Sequence, residues 1–406
     1  MKFLLIVQDL KISGTSEGIV SRSFLYRLRE AYPEAKISVL YFTNTQSEDQ
    51  LKLLPVDAME VIRVRRSPLK IIKTINHLYW RIFKVPLNEK YILHQYRRHL
   101  KKIDCEKYDH IFIRSAGNNF ETILASKDRP LLRKAIVNFH DPYPQFWDPG
   151  TDLSLSGLEL NRLKRMWEVV QQAKTCITPS QSLSEDMEFL YGSNKRFYTL
   201  PHQFTPTVFE SFPEKKNTES RKKMVITYQG AVQTGRNLEI LLDAYLELLN
   251  RKSSFRETTQ FLLRITGPYS AEITKKYQHY PNLIFLEQMA FVESLQEMKY
   301  QTDILIILEN CRECSNILPG KVPVIASLNK PFLCLSPIKS ELRRLLYEPA
   351  FVACCDDRGE IMQKLEHLIA SVSLEKKFKE DPFRGYFNEK NFNNRLKAIL
   401  KDGNSF

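Results

Sequence analysis

The stretch YQGAVQTGRNLEILLDAY combines residues that could bind a phosphorylated ligand. It places Gly230 and Gly235 after an apolar strand and Arg236 directly before a helix that is predicted from Asn237. Glycine lets the backbone come close to a ligand, and the free N–H groups at a helix start carry partial positive charge. A guanidinium at the same place adds a full charge, so the stretch predicts a diphosphate site. A surface turn in which Arg236 only caps charge is the alternative.

A second glycine-containing loop follows the first apolar run of the chain. In QDLKISGTSEGIV, Gly14 and Gly18 bracket polar residues, and a helix is predicted from Ile19. The glycines lack the spacing of a dinucleotide-binding fingerprint, so a plain strand-to-helix turn is an equal alternative to a phosphate or sugar site at Gly14. Further along, VNFHDPYPQFW places His140 and Asp141 after another apolar strand, where an imidazole or carboxylate could hydrogen-bond a hydroxyl. A core histidine and a turn begun by Asp141 are the alternatives.

The positive charge of the chain is concentrated in one segment. The sequence has 406 residues, 60 Lys and Arg, 47 Asp and Glu, and a formal net charge of +13. Residues 63–102 contain twelve Lys and Arg and a single acid, Glu89. At about 100° per residue, residues 69–84 form a helix with a basic face and an apolar face, and Pro86 separates it from a second basic helix. Such helices, when they carry aromatic residues, are typical of proteins that lie on an anionic bilayer.

The membrane-facing residues predicted from this pattern are Lys70, Lys73, Trp80, Arg81, Lys84, Arg97 and Arg98. A solvated basic face over the domain core is the alternative. Nucleic acid is a third possible partner, but no recognised binding motif accompanies the charge.

Short apolar runs alternate with amphipathic helical stretches through most of the chain, which is the pattern of parallel sheets with crossover helices. Strands are predicted near residues 2–7, 36–41, 61–65, 110–114, 136–139, 176–178, 197–200, 224–228, 261–266, 283–286, 304–308 and 332–335. Residues 205–223 follow neither period and indicate a linker. The fold class predicted is α/β, with two Rossmann-like doubly wound domains facing a cleft that holds the ligand at the carboxyl ends of the strands.

Compartment signals in the sequence favour a cytosolic protein. The first apolar run, residues 3–7, is too short for a signal peptide, and no stretch approaches the roughly 18 apolar residues of a membrane span. Seven irregularly spaced cysteines do not suggest a disulfide framework. Cys311 and Cys314 form a lone C-x-x-C without a second ligand pair, so no metal site is expected.

From residue 224 to residue 357 the order of motifs resembles the nucleotide-binding half of a family-four type glycosyltransferase of the GT-B fold. The motifs on which the resemblance rests are, in order, the strand with G-x-x-x-x-G-R-N, RITGPYS, PNLIFLEQMAFVESLQEMKY and LPGKVPVIASLNKPFLCLSP. The resemblance implies an acceptor-side domain over residues 1–204, a nucleotide-sugar-binding domain over residues 224–380, and a C-terminal helix in residues 381–406 that crosses back to the first domain.

The resemblance also implies roles for single residues. Arg236 and Lys321 match the basic residues that neutralise the departing diphosphate, and Gly230 matches the glycine that lets the backbone approach the nucleotide. His140 and Asp141 match the acceptor-side segment, where catalytic contacts are made. The donor-binding set therefore comprises Gly14, Gly230, Glu309, Asn316, Arg236 and Lys321.

This sequence departs from the family at the position of the ribose-binding carboxylate. Counted from Lys321, that position falls on Val324, and its upstream partner falls on Asn316. Neither is acidic. Either Glu309 or Glu313 substitutes, or the donor is bound differently, or the enzyme is degenerate.

The function implied is transfer of a sugar from a nucleotide-sugar to a hydroxyl, with retention at the anomeric carbon, without a cofactor and without an obligatory metal. Together with the basic segment, this leads to a bacterial enzyme of surface polysaccharide biosynthesis. It would be cytoplasmic, lie on the inner face of the membrane, and extend a lipid-linked glycan. The alternatives are a non-catalytic nucleotide-sugar or glycan-binding subunit, favoured by the missing acids, and a nucleic-acid-binding protein, favoured by charge alone.

Overall fold

The computed structural model describes residues 1–44, 49–65, 70–144, 156–192, 194–209, 222–233, 235–374 and 381–402. The chain divides into two compact units, one of Met1–Phe209 with Asn388–Phe406 and one of Glu210–Phe387. The break at Phe209 falls within the segment 205–223 for which the sequence predicts a linker, and residues 210–221 lie outside the described part.

The first unit is built on a seven-stranded parallel sheet of order β3-β2-β1-β4-β5-β6-β7. Its strands are β1 (Lys2–Val7), β2 (Lys36–Thr43), β3 (Ala58–Arg63), β4 (His110–Arg114), β5 (Ala135–Asn138), β6 (Thr175–Thr178) and β7 (Phe197–Thr199). Its helices up to residue 191 are α1 (Ser16–Ala31), α2 (Lys70–Phe83), α3 (Leu87–Leu100), α4 (Glu121–Ala125), α5 (Gly157–Gln172) and α6 (Gln181–Tyr191). The strand order reverses between β1 and β4, which is where doubly wound sheets bind their ligands.

The central strands of this sheet are apolar because both of their faces are covered. All five residues of β4 and all four of β5 are buried, and Phe112, Ile113 and Val137 have no solvent exposure. Continuous apolar runs of this kind are what a parallel sheet between two helical layers requires.

The start of α1 differs from the prediction. The helix begins at Ser16, three residues before Ile19, with Thr15 as its N-cap. Gly18 therefore lies inside the first turn. A Cβ at Gly18 would lie 2.4 Å from the carbonyl oxygen of Lys11, so the preceding loop folds back against the helix, and only glycine leaves room for it.

The second unit is built on a six-stranded sheet of order β10-β9-β8-β11-β13-β15 and a short pair, β12-β14. Its strands are β8 (Met224–Ala231), β9 (Thr259–Thr266), β10 (Leu283–Phe285), β11 (Ile304–Leu308), β12 (Cys314–Ser315), β13 (Phe332–Ser336), β14 (Lys339–Ser340) and β15 (Val352–Cys354). Its helices are α7 (Leu238–Arg251), α8 (Ser253–Thr258), α9 (Ser270–Tyr277), α10 (Phe291–Tyr300), α11 (Val322–Ser327), α12 (Glu341–Leu345) and α13 (Arg358–Ser373). The order reverses between β8 and β11.

The last helix, α14 (Glu389–Asp402), belongs to the first unit. Phe392 and Leu396 are fully buried, the ring of Phe392 lies 6.0 Å from that of Phe24 on α1, and Arg395 donates to the carbonyl of Thr199 at 3.2 Å. Two α/β units with parallel sheets confirm the fold class predicted from the sequence. The structure adds β15 and the β12-β14 pair, which the apolar pattern did not predict.

Candidate functional site

The predicted diphosphate residues of the second unit lie at the β8/β11 reversal. Gly230 is the last residue but one of β8, and Gly235, with a φ of +89°, turns the chain toward α7. The helix begins at Leu238, one residue later than predicted, because Asn237 caps it by accepting from the backbone N–H of Ile240 at 3.2 Å.

Lys321 lies directly over the end of β8. Its ammonium donates to the carbonyl of Gln229 and stands 5.1 Å from the ring centre of Tyr228. A Cβ at Gly230 would lie 2.4 Å from Nζ of Lys321, so the glycine provides the space that the lysine fills. Burial, and secondarily the charge of Arg236, lowers the pKa of Lys321 to about 7. Such a lysine gains charge when an anion comes beside it.

Arg236 has hydrogen-bonding capacity left for a ligand. Its Nη1 donates to the carbonyl of Ala231 at 3.0 Å, while its buried Nε has no partner among the described residues. Two residues that the sequence analysis did not single out stand beside the same turn: a Cβ at Gly235 would lie 3.4 Å from Cβ of Asn310 and 3.6 Å from Nε of Arg312. The buried Oδ1 of Asn310 also lacks a partner within the described chain.

Glu309, predicted as a possible substitute for the ribose carboxylate, is turned inward. It is 2% exposed, accepts from the hydroxyl of Ser315 at 3.0 Å and from that of Ser336, and burial raises its pKa to about 7. Both carboxylate oxygens are thus engaged by serines. Glu313, the other substitute considered, is exposed.

The two positions that depart from the family pattern are core positions here. Val324 lies on α11 and is 3% exposed, and Asn316 is also 3% exposed. The absence of an acid at Val324 therefore goes together with its packing into the apolar core.

In the first unit, acidic side chains gather where the chain leaves β1 and β4. A Cβ at Gly117 would lie 2.8 Å from Oε1 of Glu17 and 3.4 Å from Oδ2 of Asp141. Burial, and then the charge of Asp9, raises the pKa of Glu17. Gly14 forms the turn before α1 with a φ of +85°, and the space where its side chain would stand is open. Glu17 was not singled out in the sequence, although it stands three residues after that turn.

His140 is held by a buried arginine at the end of β4. Nη2 of Arg114 lies 2.9 Å from Nε2 of His140, and the backbone N–H of His140 donates to Ser115 at 3.0 Å. Because a guanidinium only donates, Nε2 must accept and the ring hydrogen sits on Nδ1. Burial and the charge of Arg114 lower the pKa of His140 well below its usual value, so the imidazole is neutral. It is therefore a hydrogen-bond donor through Nδ1, not a base.

Arg114 is a further functional candidate that the sequence analysis missed. The available signal was its position as the last residue of a strand predicted correctly over residues 110–114, because strand ends of a parallel sheet meet at the ligand-binding edge.

The basic segment presents apolar as well as positive side chains to solvent. On α2, Ile75 is 50% exposed and Leu78 and Ile82 are each 64% exposed. Arg81, Lys84 and Arg98 are exposed, whereas Trp80 and Arg97 are half-buried. Lys70 and Lys73 lie on the same helix, but their side chains are outside the described part.

Among the described residues, no cluster of three or more His, Cys, Asp or Glu side chains could hold a metal ion. All seven cysteines are free. No described helix has both the length and the apolar character needed to cross a bilayer.

Nearly the whole chain is similar in structure to several solved proteins. Sucrose-phosphate synthase from Thermosynechococcus elongatus matches with a TM-score of 0.64 at 9% identity over 99% of this chain and 98% of its own. UDP-GlcNAc 2-epimerase from Neisseria meningitidis, bound to UDP-GlcNAc, matches with a TM-score of 0.58 at 14% identity over 99% of this chain and 100% of its own. HepE from Anabaena, in complex with UDP, matches with a TM-score of 0.59 at 13% identity over 99% of this chain and 100% of its own.

No protein-family model matches the sequence, and no curated protein matches it. At these identities the structural likeness defines the fold. The chain has the GT-B fold, as the sequence resemblance implied.

Proposed function

We propose that the protein is a retaining, metal-independent glycosyltransferase of family-four type that moves a sugar from a nucleotide-sugar to a hydroxyl. The observation that carries the proposal is the placement of Arg236 and Lys321 together at the β8/β11 reversal, where Gly230 makes room for the lysine. The structural neighbours that carry UDP or UDP-GlcNAc support a nucleotide-sugar as the donor.

The chemistry of these residues fits the leaving group. When the bond between the anomeric carbon and the diphosphate breaks, negative charge builds up on the diphosphate. A positive charge that is already in place stabilises that state more than it stabilises the ground state. Arg236 offers its unpartnered Nε–H, and Lys321 becomes fully charged when the diphosphate raises its pKa.

The first unit supplies groups suited to a sugar hydroxyl. The neutral His140 donates through Nδ1, and the carboxylates of Glu17 and Asp141 are acceptors at Gly117. Burial raises the pKa of Glu17 above the usual value of a carboxyl, which favours its accepting a proton from a hydroxyl.

The proposal is tested by binding and by transfer. A panel of UDP-, GDP-, ADP- and dTDP-sugars is screened for a rise in melting temperature, and the ligand found is then assayed for transfer. Arg236→Ala and Lys321→Ala should each lower transfer about 10²-fold or more. Arg251→Ala is the control, because Arg251 is an exposed cation at the far end of α7 whose one ion pair within the described part of the chain is with Glu247 at 2.5 Å.

The packing of Val324 into the core favours a second candidate, a subunit that binds a nucleotide-sugar without transferring it. A melting-temperature rise with a nucleotide-sugar, but no transfer to any sugar or lipid-linked acceptor, would establish that function instead. A protein that binds none of the panel contradicts both.

We also propose that α2 attaches the protein to an anionic membrane, on the inner face in the bacterial cell, where it extends a lipid-linked glycan of a surface polysaccharide. The exposed Leu78 and Ile82 next to exposed Arg81 and Lys84 support this. Apolar side chains can insert at the boundary between the lipid headgroups and the acyl chains, and each cation near the surface contributes about 1 kcal/mol to the binding free energy.

The membrane proposal is tested with vesicles. Leu78→Ser with Ile82→Ser should reduce sedimentation with phosphatidylglycerol vesicles and leave the melting temperature unchanged, because both side chains are already exposed. Phe189→Ser, at an 80% exposed apolar residue on α6, is the matched control. Equal loss in both variants, or binding to RNA in place of vesicles at about 0.15 M salt, would contradict it.

A further inference from the structure

A pocket at the carboxyl edge of the first unit's sheet encloses a positive charge that no described residue neutralises. The pocket is small and partly open to solvent, and Phe24 of α1, Arg114 of β4, Asn138 of β5 and His202 contribute to its wall. The end of β4 is one side of the β1/β4 reversal, where doubly wound sheets bind ligands.

Arg114 carries the charge. It is 2% exposed, donates to His140, and lies with Cζ 4.3 Å above the ring centre of Phe24. No ion pair joins it to a carboxylate of the described residues, and burial alone lowers its pKa to about 9, so it remains protonated at neutral pH. His140 and His202 are neutral because burial lowers the pKa of both, that of His202 to about 3.

A second buried arginine of the same unit, Arg22, has the contacts expected of a purely structural residue. Arg22 is fully buried, and its guanidinium donates to the carbonyls of Leu10, Asp49, Gln50 and Val208 at 2.6–3.1 Å. Arg114 has no such set of carbonyls among the residues that the structure describes. A buried charge without a counter-charge lowers stability, and a bound anion offsets that loss.

Unsatisfied polar atoms around Arg114 indicate what that partner is. The buried Nε of Arg114 and Nδ1 of His140 are donors without a partner in the described chain, and Oε1 of Gln203 is an acceptor without one. Arg114 and Gln203 both line the pocket. An anionic group there satisfies the charge and the Nε–H of Arg114, and a hydroxyl on the same molecule satisfies Gln203, while Nδ1 of His140 is left as a donor for a sugar hydroxyl.

We propose that this pocket binds the anionic group, a phosphate or a carboxylate, of a hydroxyl-bearing acceptor. This inference rests on the proposed transfer function, because it assigns the acceptor's chemistry, and it extends that function by requiring the acceptor to be charged. The carboxylate of Glu17 at Gly117 is an acceptor suited to the acceptor's hydroxyls.

The test uses the full chain carrying Lys321→Ala, which weakens anion binding at the donor residues. Inorganic phosphate at ten times its Kd should raise the melting temperature by about 3 °C above potassium chloride of the same ionic strength. In Arg114→Met the shift should vanish, while the melting temperature without phosphate stays the same or rises. Arg22→Met is the control, and it should melt lower because it leaves buried carbonyls unpaired.

A phosphate shift equal to that in chloride, or one that persists in Arg114→Met, overturns the proposal. If Arg114→Met does not fold, the Nε–H resonance of Arg114 in the Lys321→Ala protein decides. It should move on phosphate addition, and an unmoved resonance contradicts the site.

The source of the anion is resolved with a soluble sugar phosphate, dodecyl phosphate and glucuronate. Each is tested for displacing inorganic phosphate and then as an acceptor. Failure here is distinguishable from failure of the transfer function. If a nucleotide-sugar raises the melting temperature of the unmodified protein but phosphate does not, only the pocket proposal is contradicted. A phosphate shift without any nucleotide-sugar shift contradicts the acceptor role and the transfer function together.

Discussion

At the level of single residues, the candidate donor-binding residues are linked by contacts in the folded chain rather than by their spacing in the sequence. Gly230 is conformationally ordinary, with no positive φ, and its importance lies in the absent Cβ that Nζ of Lys321 replaces. The lysine in turn is desolvated, stands near Arg236, and binds the carbonyl of Gln229. The positive charge beside a diphosphate therefore depends on the ligand, because a bound anion raises the pKa of Lys321 and favours its protonated form.

This predicts a pH dependence for donor binding. In the folded, empty protein the pKa of Lys321 is about 7, lowered from 10.5, so the ammonium is largely present below pH 7 and is lost above it. Affinity for a nucleotide-sugar, whose diphosphate keeps its charge in this range, should fall by up to about tenfold per pH unit above 7. Calorimetric titration at pH 6, 7, 8 and 9 measures it. Lys321→Ala should bind weakly and without this slope, and a flat profile in the unmodified protein contradicts the assignment.

Gly230→Ala tests the same contact from the other side. The new Cβ would lie 2.4 Å from Nζ of Lys321 and 3.2 Å from Oη of Tyr228, so the lysine must move. Because the moving atom ends a flexible side chain, we expect a folded protein whose KM for the donor rises about tenfold or more. Circular dichroism and donor-dependent kinetics check the two parts. An unchanged KM would mean that the position of Lys321 does not matter.

At the level of elements, helix starts position both candidate sites. The helix α7 begins immediately after Arg236 because Asn237 caps it, and α1 begins at Ser16 because the loop from β1 folds tightly onto its first turn. Glu17 and Gly14 are brought to the edge of the sheet by this second arrangement. A helix begun at Ile19 would have left Glu17 in the loop.

Gly18→Ala should therefore destabilise the protein although it improves helix propensity. Alanine in a helix is favoured over glycine by about 0.5–1 kcal/mol, but here its Cβ meets the Lys11 carbonyl at 2.4 Å, and overpacking of this kind costs about 1–3 kcal/mol. Urea denaturation should show a net loss of unfolding free energy. Gly157→Ala lies at the start of α5, where the nearest atoms of the described residues belong to the flexible Lys84 side chain at 3.4 Å, and it should be neutral or stabilising.

At the level of the whole molecule, the chain returns to its first unit at the end. Residues 388–406 group with residues 1–209, and α14 packs through Phe392, Leu396 and Ile399, which are buried. The stability of the first unit thus depends on a helix that the second unit separates in sequence from residues 1–209, while the second unit, Glu210–Phe387, is one continuous stretch of chain.

Phe392→Ala should lower the stability of the first unit by about 3–5 kcal/mol, because it removes a fully buried ring that contacts Phe24. Hydrogen exchange resolved by peptide should show the loss in β1, α1 and β4. The second unit should keep its protection and its melting-temperature response to the donor. Loss spread equally over both units contradicts the assignment of α14.

The sequence by itself determined the order and the type of most elements. Apolar runs predicted β1, β4 and β11 with the observed bounds, because a strand buried on both faces must be apolar along its whole length. The β12-β14 pair was missed because its strands have two residues each, which carry no measurable period, and β15 was missed as well. The glycines and Arg236 could also be found, because strand-to-helix loops of a parallel sheet converge on one edge.

Only the tertiary structure decided which distant groups meet. Arg114 and His140 are 26 residues apart, and Lys321 and Gln229 are 92 apart. Neither contact follows from a period or a motif, because side-chain contacts between strands depend on sheet order and on what burial leaves unsatisfied. Burial likewise turned Glu309 inward and left Leu78 and Ile82 exposed, although the apolar pattern of α2 could equally have covered a core. The unpaired charge at Arg114 belongs to this second kind of information, because an unneutralised charge becomes visible only once its neighbours are known.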